Sequence, residues 1–212
     1  MSSGTDRVRF GGLLLSGMPQ RLAGAAEPLR AGPDVSWLSR CRVGDDQGSD
    51  GACAVFAFAS WAEIVHGREI PDAECLDVYR QALARAGRTD GGLTFPEAFG
   101  AAALAGWLPG GPGLAPAGDL SELIHQPLVA GYVVTQAWDY VSPQGCLDHA
   151  AEGPDRGYHA VVIAAHGVLA GNEGLPLVYV ENSWSLRWGW NGIGVMTEAL
   201  HRTLVRELWK IE

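Results

Sequence analysis

Charge is scarce in this chain and biased to one sign. Only 18% of its 212 residues are charged, and 24 acidic against 15 basic side chains leave a net charge of −9. Nucleic acids and anionic membranes are bound by clustered cations, so neither is an expected partner. Long apolar runs are missing too: none approaches the ~20 residues needed to cross a bilayer. The opening Arg7, Arg9 and Gly11-Gly12-Leu13-Leu14-Leu15 have an apolar stretch too short and too broken by glycine for a secretory signal, which favours a cytoplasmic protein. Cysteine is limited to Cys41, Cys53, Cys75 and Cys146. Cys146 and His149 stand at Cys-x-x-His spacing, but no second pair has zinc-like spacing, so no metal and no other cofactor is expected. There is no internal repeat. Apolar side chains are plentiful, at 47%, enough for one compact domain or two small halves sharing an interface.

Three segments carry the chemistry. Gln47-Gly48-Ser49-Asp50-Gly51-Ala52-Cys53 runs directly into the uncharged stretch Ala54-Val55-Phe56-Ala57-Phe58-Ala59. The glycines permit a tight approach, and the stretch reads as a buried helix over 53–66 that stops near Gly67. A thiol at the start of such a helix feels the positive end of its dipole, which favours thiolate. Gly157-Tyr158-His159-Ala160-Val161-Val162-Ile163-Ala164 places a histidine at the head of a β-branched run that reads as a strand. Leu177-Val178-Tyr179-Val180-Glu181-Asn182-Ser183-Trp184 places an asparagine at the end of another. Alone, each has an ordinary explanation: a small buried cysteine, a structural histidine, a turn asparagine. Together they supply nucleophile, base and orienting group in the order Cys, His, Asn.

These segments resemble the papain-like cysteine peptidases. Gln47-Gly48-Ser49 and Gly51-Ala52-Cys53 are similar to that family's Gln-Gly-Ser-Cys-Gly-Ser-Cys block. Asn182-Ser183-Trp184, Trp188-Gly189 and Asn191-Gly192 resemble its Asn-Ser-Trp-Gly-x-x-Trp-Gly-x-x-Gly block. Asp90-Gly91-Gly92 resembles its Asn-Gly-Gly, and Val35-Ser36-Trp37 its Val-Asp-Trp. The resemblance covers about residues 33–212. There are departures. Asp50 stands where the family has a disulfide-forming cysteine, Ala54 where an aromatic residue follows the nucleophile, and Ser185 where it has glycine. Cys53 and His159 are only 106 residues apart, against ~130–150 in the family, so the connecting loops are trimmed. With Cys53 as nucleophile only three other cysteines remain, which favours a reducing compartment or a disulfide-poor fold.

The resemblance implies an α+β papain-like fold, with a helical left half, an antiparallel β right half and the active-site cleft between them. Residues 1–32 would be an N-terminal arm or short pro-segment and 33–212 the peptidase domain. Within it the helical half spans about 33–107, a Pro/Gly-rich linker about 108–119 and the β half about 120–212. Helices are expected over 53–66, over 72–86 and from the capping-box pattern Thr94-Phe95-Pro96-Glu97 to near Gly106. Strands are expected at 127–135, 158–165 and 176–181, then a short helix from Thr197 to about Val205 and a closing strand at 208–211. His159 is preferred to His149, which also precedes alanine, because His149 leads into the turn Glu152-Gly153-Pro154-Asp155. His66, His125, His149, His166 and His201 read as surface or structural.

The implied reaction is peptide-bond hydrolysis through a thioester acyl-enzyme. Cys53 attacks, His159 exchanges the proton, Asn182 orients the imidazole, and Gln47 offers its side-chain amide to the oxyanion. Trp184 would shield the His–Asn bond. Gly92 would pair with an extended peptide by strand addition, with Leu93 and Thr94 beginning one wall of the neighbouring pocket and Gly131, Gly157 and Ala160 on the other side, and Tyr158 a further substrate-binding candidate. Small residues there imply tolerance of a bulky apolar side chain. The expected partner is a peptide or protein substrate. A papain-fold acyltransferase or transpeptidase with the same triad, or an inactive binding module, are the alternatives.

Overall fold

The structure, a computed structural model, describes residues 35–108, 113–147, 150–168 and 175–212. The expectations for residues 1–32 and for His149 lie outside these. Helix α1, Cys53–His66, is buried at every position from Cys53 to Ile64 and ends at Gly67, whose N–H bonds back to the Glu63 carbonyl. A run free of charge from Cys53 to Ala62 suits a helix enclosed on all sides, and Glu63 is the one acidic residue that it buries. Helix α2, Asp72–Arg85, is amphipathic and buries Cys75, Val78, Tyr79, Ala82 and Leu83 along one stripe. Helix α3, Phe95–Leu104, starts with a complete capping box between Thr94 and Glu97. No helix among the described residues is long and apolar enough to cross a membrane.

The described strands are β1 (Val35–Ser36), β2 (Leu114–Pro116), β3 (Leu128–Thr135), β4 (Asp155–Val168), β5 (Pro176–Glu181), β6 (Ile193–Thr197) and β7 (Val205–Ile211). Helix α4, Glu198–Leu204, lies between β6 and β7. The strands form one antiparallel sheet in the order β2-β7-β3-β4-β5-β6, with β1 on β4. Alternation along β4 fixes which half each side chain joins. Ala160 and Val162 pack into the core of the helical half with α1. Val161 and Ile163 pack into the β half with Tyr132, Trp138, Trp184 and Trp188. A strand buried on both faces reads as an unbroken apolar run, and this one does.

The structure adds to the expected elements and shifts some of them. Part of the stretch read as a linker is strand: β2 pairs Leu114 with Ile211 and Pro116 with Trp209. It is a sheet edge, where a proline's missing N–H is tolerated. The closing strand begins at Val205 rather than 208, directly after α4. Strand β6 was hidden by its glycines. Gly194 is there for packing: a Cβ on it would stand 2.6 Å from Trp188 Cη2 and 2.8 Å from Leu147 Cδ1. Of the two readings given for His166, surface or structural, the structure favours the second. It is 2% exposed and its Nε2 lies 2.9 Å from Glu198 Oε2. His201 is equally buried, with Nδ1 2.6 Å from the Tyr132 hydroxyl.

Candidate active site

The loop before α1 is fastened to the segment after β5. Gln47 N–H donates to the Ser183 carbonyl at 3.0 Å, Ser185 N–H donates to the Asp45 carbonyl at 2.8 Å, and Asp46 and Trp184 form an antiparallel bridge. These are the bonds of a short two-stranded ribbon. They join the Cys53 loop to Asn182 across more than half the chain. On its other side the loop meets the Asp90-Gly91-Gly92 segment. A Cβ on Gly51 would lie 2.8 Å from the Gly91 carbonyl oxygen, so only glycine fits this contact.

Cys53 is the first residue of α1, and the preceding Ala52 gives no side-chain cap. With no acidic residue in the first turn, nothing there offsets the positive helix end. α1 packs along β4, the strand that carries His159. Cys53 and His159 are both fully buried.

His159 Nε2 stands 2.7 Å from Asn182 Oδ1. An amide oxygen only accepts, so this nitrogen carries the proton and donates it to Asn182. That assigns the acid–base role to Nδ1. The indole of Trp184 lies over the imidazole at 4.5 Å between ring centres. Trp184 is held edge-on by Trp188 at 6.0 Å, and Trp188 Nε1–H donates to the Trp138 carbonyl at 2.8 Å. The Asn182 amide nitrogen has no hydrogen-bond partner among the described residues.

Gln47 is 3% exposed and its amide is fixed at both ends. The Ser183 hydroxyl donates to its Oε1 at 2.8 Å, and its Nε2 donates to the Asp50 carbonyl at 2.7 Å. The first bond decides which way the amide points, and the second uses one of two Nε2 hydrogens. Sequence reasoning missed Ser183 as the orienting residue, although it stands beside Asn182 in the motif.

The residues expected to bind substrate lie in several parts of the fold. Gly92 is buried, and its carbonyl already accepts from Arg88 Nη1 at 2.6 Å, while Arg88 Nη2 donates to Glu97 at 2.7 Å. Leu93 is fully buried in the helical core. Gly131 lies in mid-sheet opposite Ala160 on one side and Glu207 on the other. Gly157 and Tyr158 are half-buried, and Tyr158 packs against the helical half. A groove of about 570 Å³ between α2 and α3, with Val78, Ala101 and Leu104 in its lining, contains none of these residues.

No family model and no curated protein matches the sequence. Solved structures do match. Xylellain, a cysteine protease from Xylella fastidiosa, superposes with a TM-score of 0.66 over 96% of both chains at 17% identity. The proform of Amb a 11, a cysteine protease and ragweed pollen allergen, gives a TM-score of 0.62 at 18% identity, over 88% of this chain and 68% of its own. ProCathepsin B S9 from Trypanosoma congolense gives 0.63 at 19% identity, over 89% and 80%. The chain has the papain-like fold. Its four helices and seven described strands divide as that α+β architecture does.

One departure in this papain-like chain has a measurable consequence. Ser185, in place of the family's glycine, sits at φ +69°. A side chain in this left-handed region costs about 1–2 kcal/mol. Ser185→Gly is expected to raise stability by about 1 kcal/mol, read as a higher urea midpoint at unchanged slope. An unchanged or lower midpoint would mean that the bond from Arg187 N–H to Ser185 Oγ, at 3.4 Å, outweighs the strain.

Proposed function

We propose that this protein is a cysteine peptidase, hydrolysing peptide bonds through Cys53, His159, Asn182 and Gln47. The observation that carries the reading is the 2.7 Å bond from His159 to Asn182 under the Trp184 ring. A histidine needed only for packing has no call for an orienting amide on one nitrogen and a shielding aromatic over the bond. The superposable structures that are themselves described as cysteine proteases support the same reading.

Cys53 as thiolate attacks the scissile carbonyl while His159 bears the proton. The oxyanion forms against the second Nε2 hydrogen of Gln47 and the backbone N–H at the start of α1. His159 then passes its proton from Nδ1 to the leaving amine, and water resolves the thioester. Asn182 holds the ring in the tautomer and orientation that aim Nδ1 at this task.

Intact mass after brief exposure to an epoxysuccinyl thiol reagent tests the reading. The expected result is one adduct, mapped to Cys53, with a rate that falls sharply in His159→Ala. Labelling spread over Cys41, Cys75 and Cys146, or none at all while the chain stays folded, would leave the site without an activated nucleophile.

A further inference from the structure

A group of carboxyl side chains lies behind the ribbon that joins the Cys53 loop to the Asn182 segment. It draws on four parts of the chain: Asp45 from the loop, Glu63 from α1, Asp72 from the start of α2, and Glu181 from the end of β5. Glu181 directly precedes Asn182 and is 4% exposed. Its one side-chain neighbour able to donate is the weakly donating Cys41 thiol, and its carboxylate oxygens accept no N–H or O–H hydrogen bond among the described residues. Glu63 is 3% exposed, with Oε1 accepting from Ile70 N–H at 2.6 Å and Oε2 without a partner. Asp45 accepts from the Ser60 hydroxyl at 3.4 Å, and Asp72 accepts from Asp46 N–H at 3.3 Å.

Among the described residues, compensating charge is thin. Arg42, on the loop side, reaches Glu63 only at 3.8 Å and is more closely paired with the exposed Glu69. Asp46 adds a negative charge beside Asp72, and Glu74 adds another beside the buried thiol of Cys75. The Cys41 thiol lies against Glu181, and its single weak donor is shared between that carboxylate, which it favours only slightly, and the Trp37 carbonyl 3.8 Å away. From the strands flanking β5, Glu181 is paired with Val162 and Ile193, which offer no charge. Glu63 and Glu181 are buried while Asp45 and Asp72 are half-buried, and four ionised carboxylates so placed, with Arg42 at the periphery, would repel each other.

We propose that this carboxyl group is a proton-dependent latch: protonated, it lets the Cys53 loop and the Asn182 segment close on each other, and ionised, it forces that seam apart. Burial first, then the neighbouring carboxylates, pushes Glu181 up to about 8 and Asp45 up to about 7. Burial likewise raises Glu63 and Asp72. The sign follows from linkage. Below about pH 4 folded and unfolded chains both hold these protons. From there up to pH 7–8 the unfolded chain has released them while the folded chain keeps them, so stability falls through this window and levels off above it. Because Asp45 is part of the ribbon and Glu181 abuts Asn182, the first structure to loosen is the one that aligns the proposed catalytic groups. The latch stands without the peptidase reading; only its effect on turnover rests on it.

Thermal unfolding of the full chain between about pH 5 and about pH 9 tests the latch, beside Glu181→Gln and Asp45→Asn. The expected result is a fall in Tm of roughly 5–10 °C for the natural chain, markedly flattened in both variants. Infrared spectra of the natural chain should show a protonated carboxylic C=O band at about pH 6, where ordinary carboxyl groups are ionised, that disappears by about pH 9. A Tm that does not fall, variants that fall as steeply as the natural chain, or no such band at about pH 6 would each overturn the proposal. If the variants do not fold, the infrared band alone decides. None of these readouts uses activity, so they stand apart from any failure of the peptidase reading.

Discussion

Cys53→Ala is expected to lower kcat on any peptide substrate by about 10⁶-fold, the scale on which a triad fails when its nucleophile is removed. On the proposed mechanism the loss belongs to the chemical step, because the thioester forms on the Cys53 sulfur. Cys53→Ser should be nearly as inactive: a hydroxyl gives up its proton far less readily than a thiol, and His159 would have to remove it during attack. Stability should change little. Cys53 is fully buried within the helical core, but alanine removes only one sulfur atom there, a cost of about 1 kcal/mol. Turnover in Cys53→Ala within about tenfold of the natural chain would place the nucleophile elsewhere.

Gln47→Ala is expected to lower kcat by about 10²–10³-fold with little change in KM. On the proposed mechanism the amide meets negative charge only in the transition state, so its loss would spare ground-state binding. The residue also has a structural share, since alanine abandons the Ser183 hydroxyl and the Asp50 carbonyl. The backbone bond from Gln47 N–H to Ser183 survives, so the stability cost should stay within about 1–3 kcal/mol. Ser183→Ala separates the two roles. It leaves the Gln47 amide in place but removes the bond that sets its direction, and should cost kcat less than Gln47→Ala does. A folded Gln47→Ala protein with unchanged kcat would remove Gln47 from the oxyanion site.

The helices were the most legible part of the chain. α1 showed as an apolar run without charge before Glu63 and closed by Gly67, and the Thr94–Glu97 capping box is present as its pattern suggested. Local bonds decide such features, so local sequence reveals them. Strands β3, β4 and β5 were legible as apolar runs. β4 extends to Asp155–Val168 because a strand end is set by what lies alongside it, not by hydrophobicity alone. β2 and β6 escaped notice because proline and glycine mask the strand pattern, and the partner strands that hold them are distant in sequence.

At the site, residue types and their order along the chain identified Cys53, His159, Asn182 and Gln47 as candidates. That information is one-dimensional: it names chemistry without placing it. The tertiary structure alone brings His159 onto Asn182 under Trp184, turns the Gln47 amide with a hydroxyl from 136 residues away, and gives the Gly92 carbonyl to Arg88. It also gathers Asp45, Glu63, Asp72 and Glu181, each ordinary in sequence, into one carboxyl group with little compensating charge among the described residues. The sequence by itself determined which elements form and which reactive groups exist, because propensity, capping and apolar patterning act between neighbours. Only folding decided which groups meet and which carboxyls lose their water, because burial and repulsion belong to the space between distant segments.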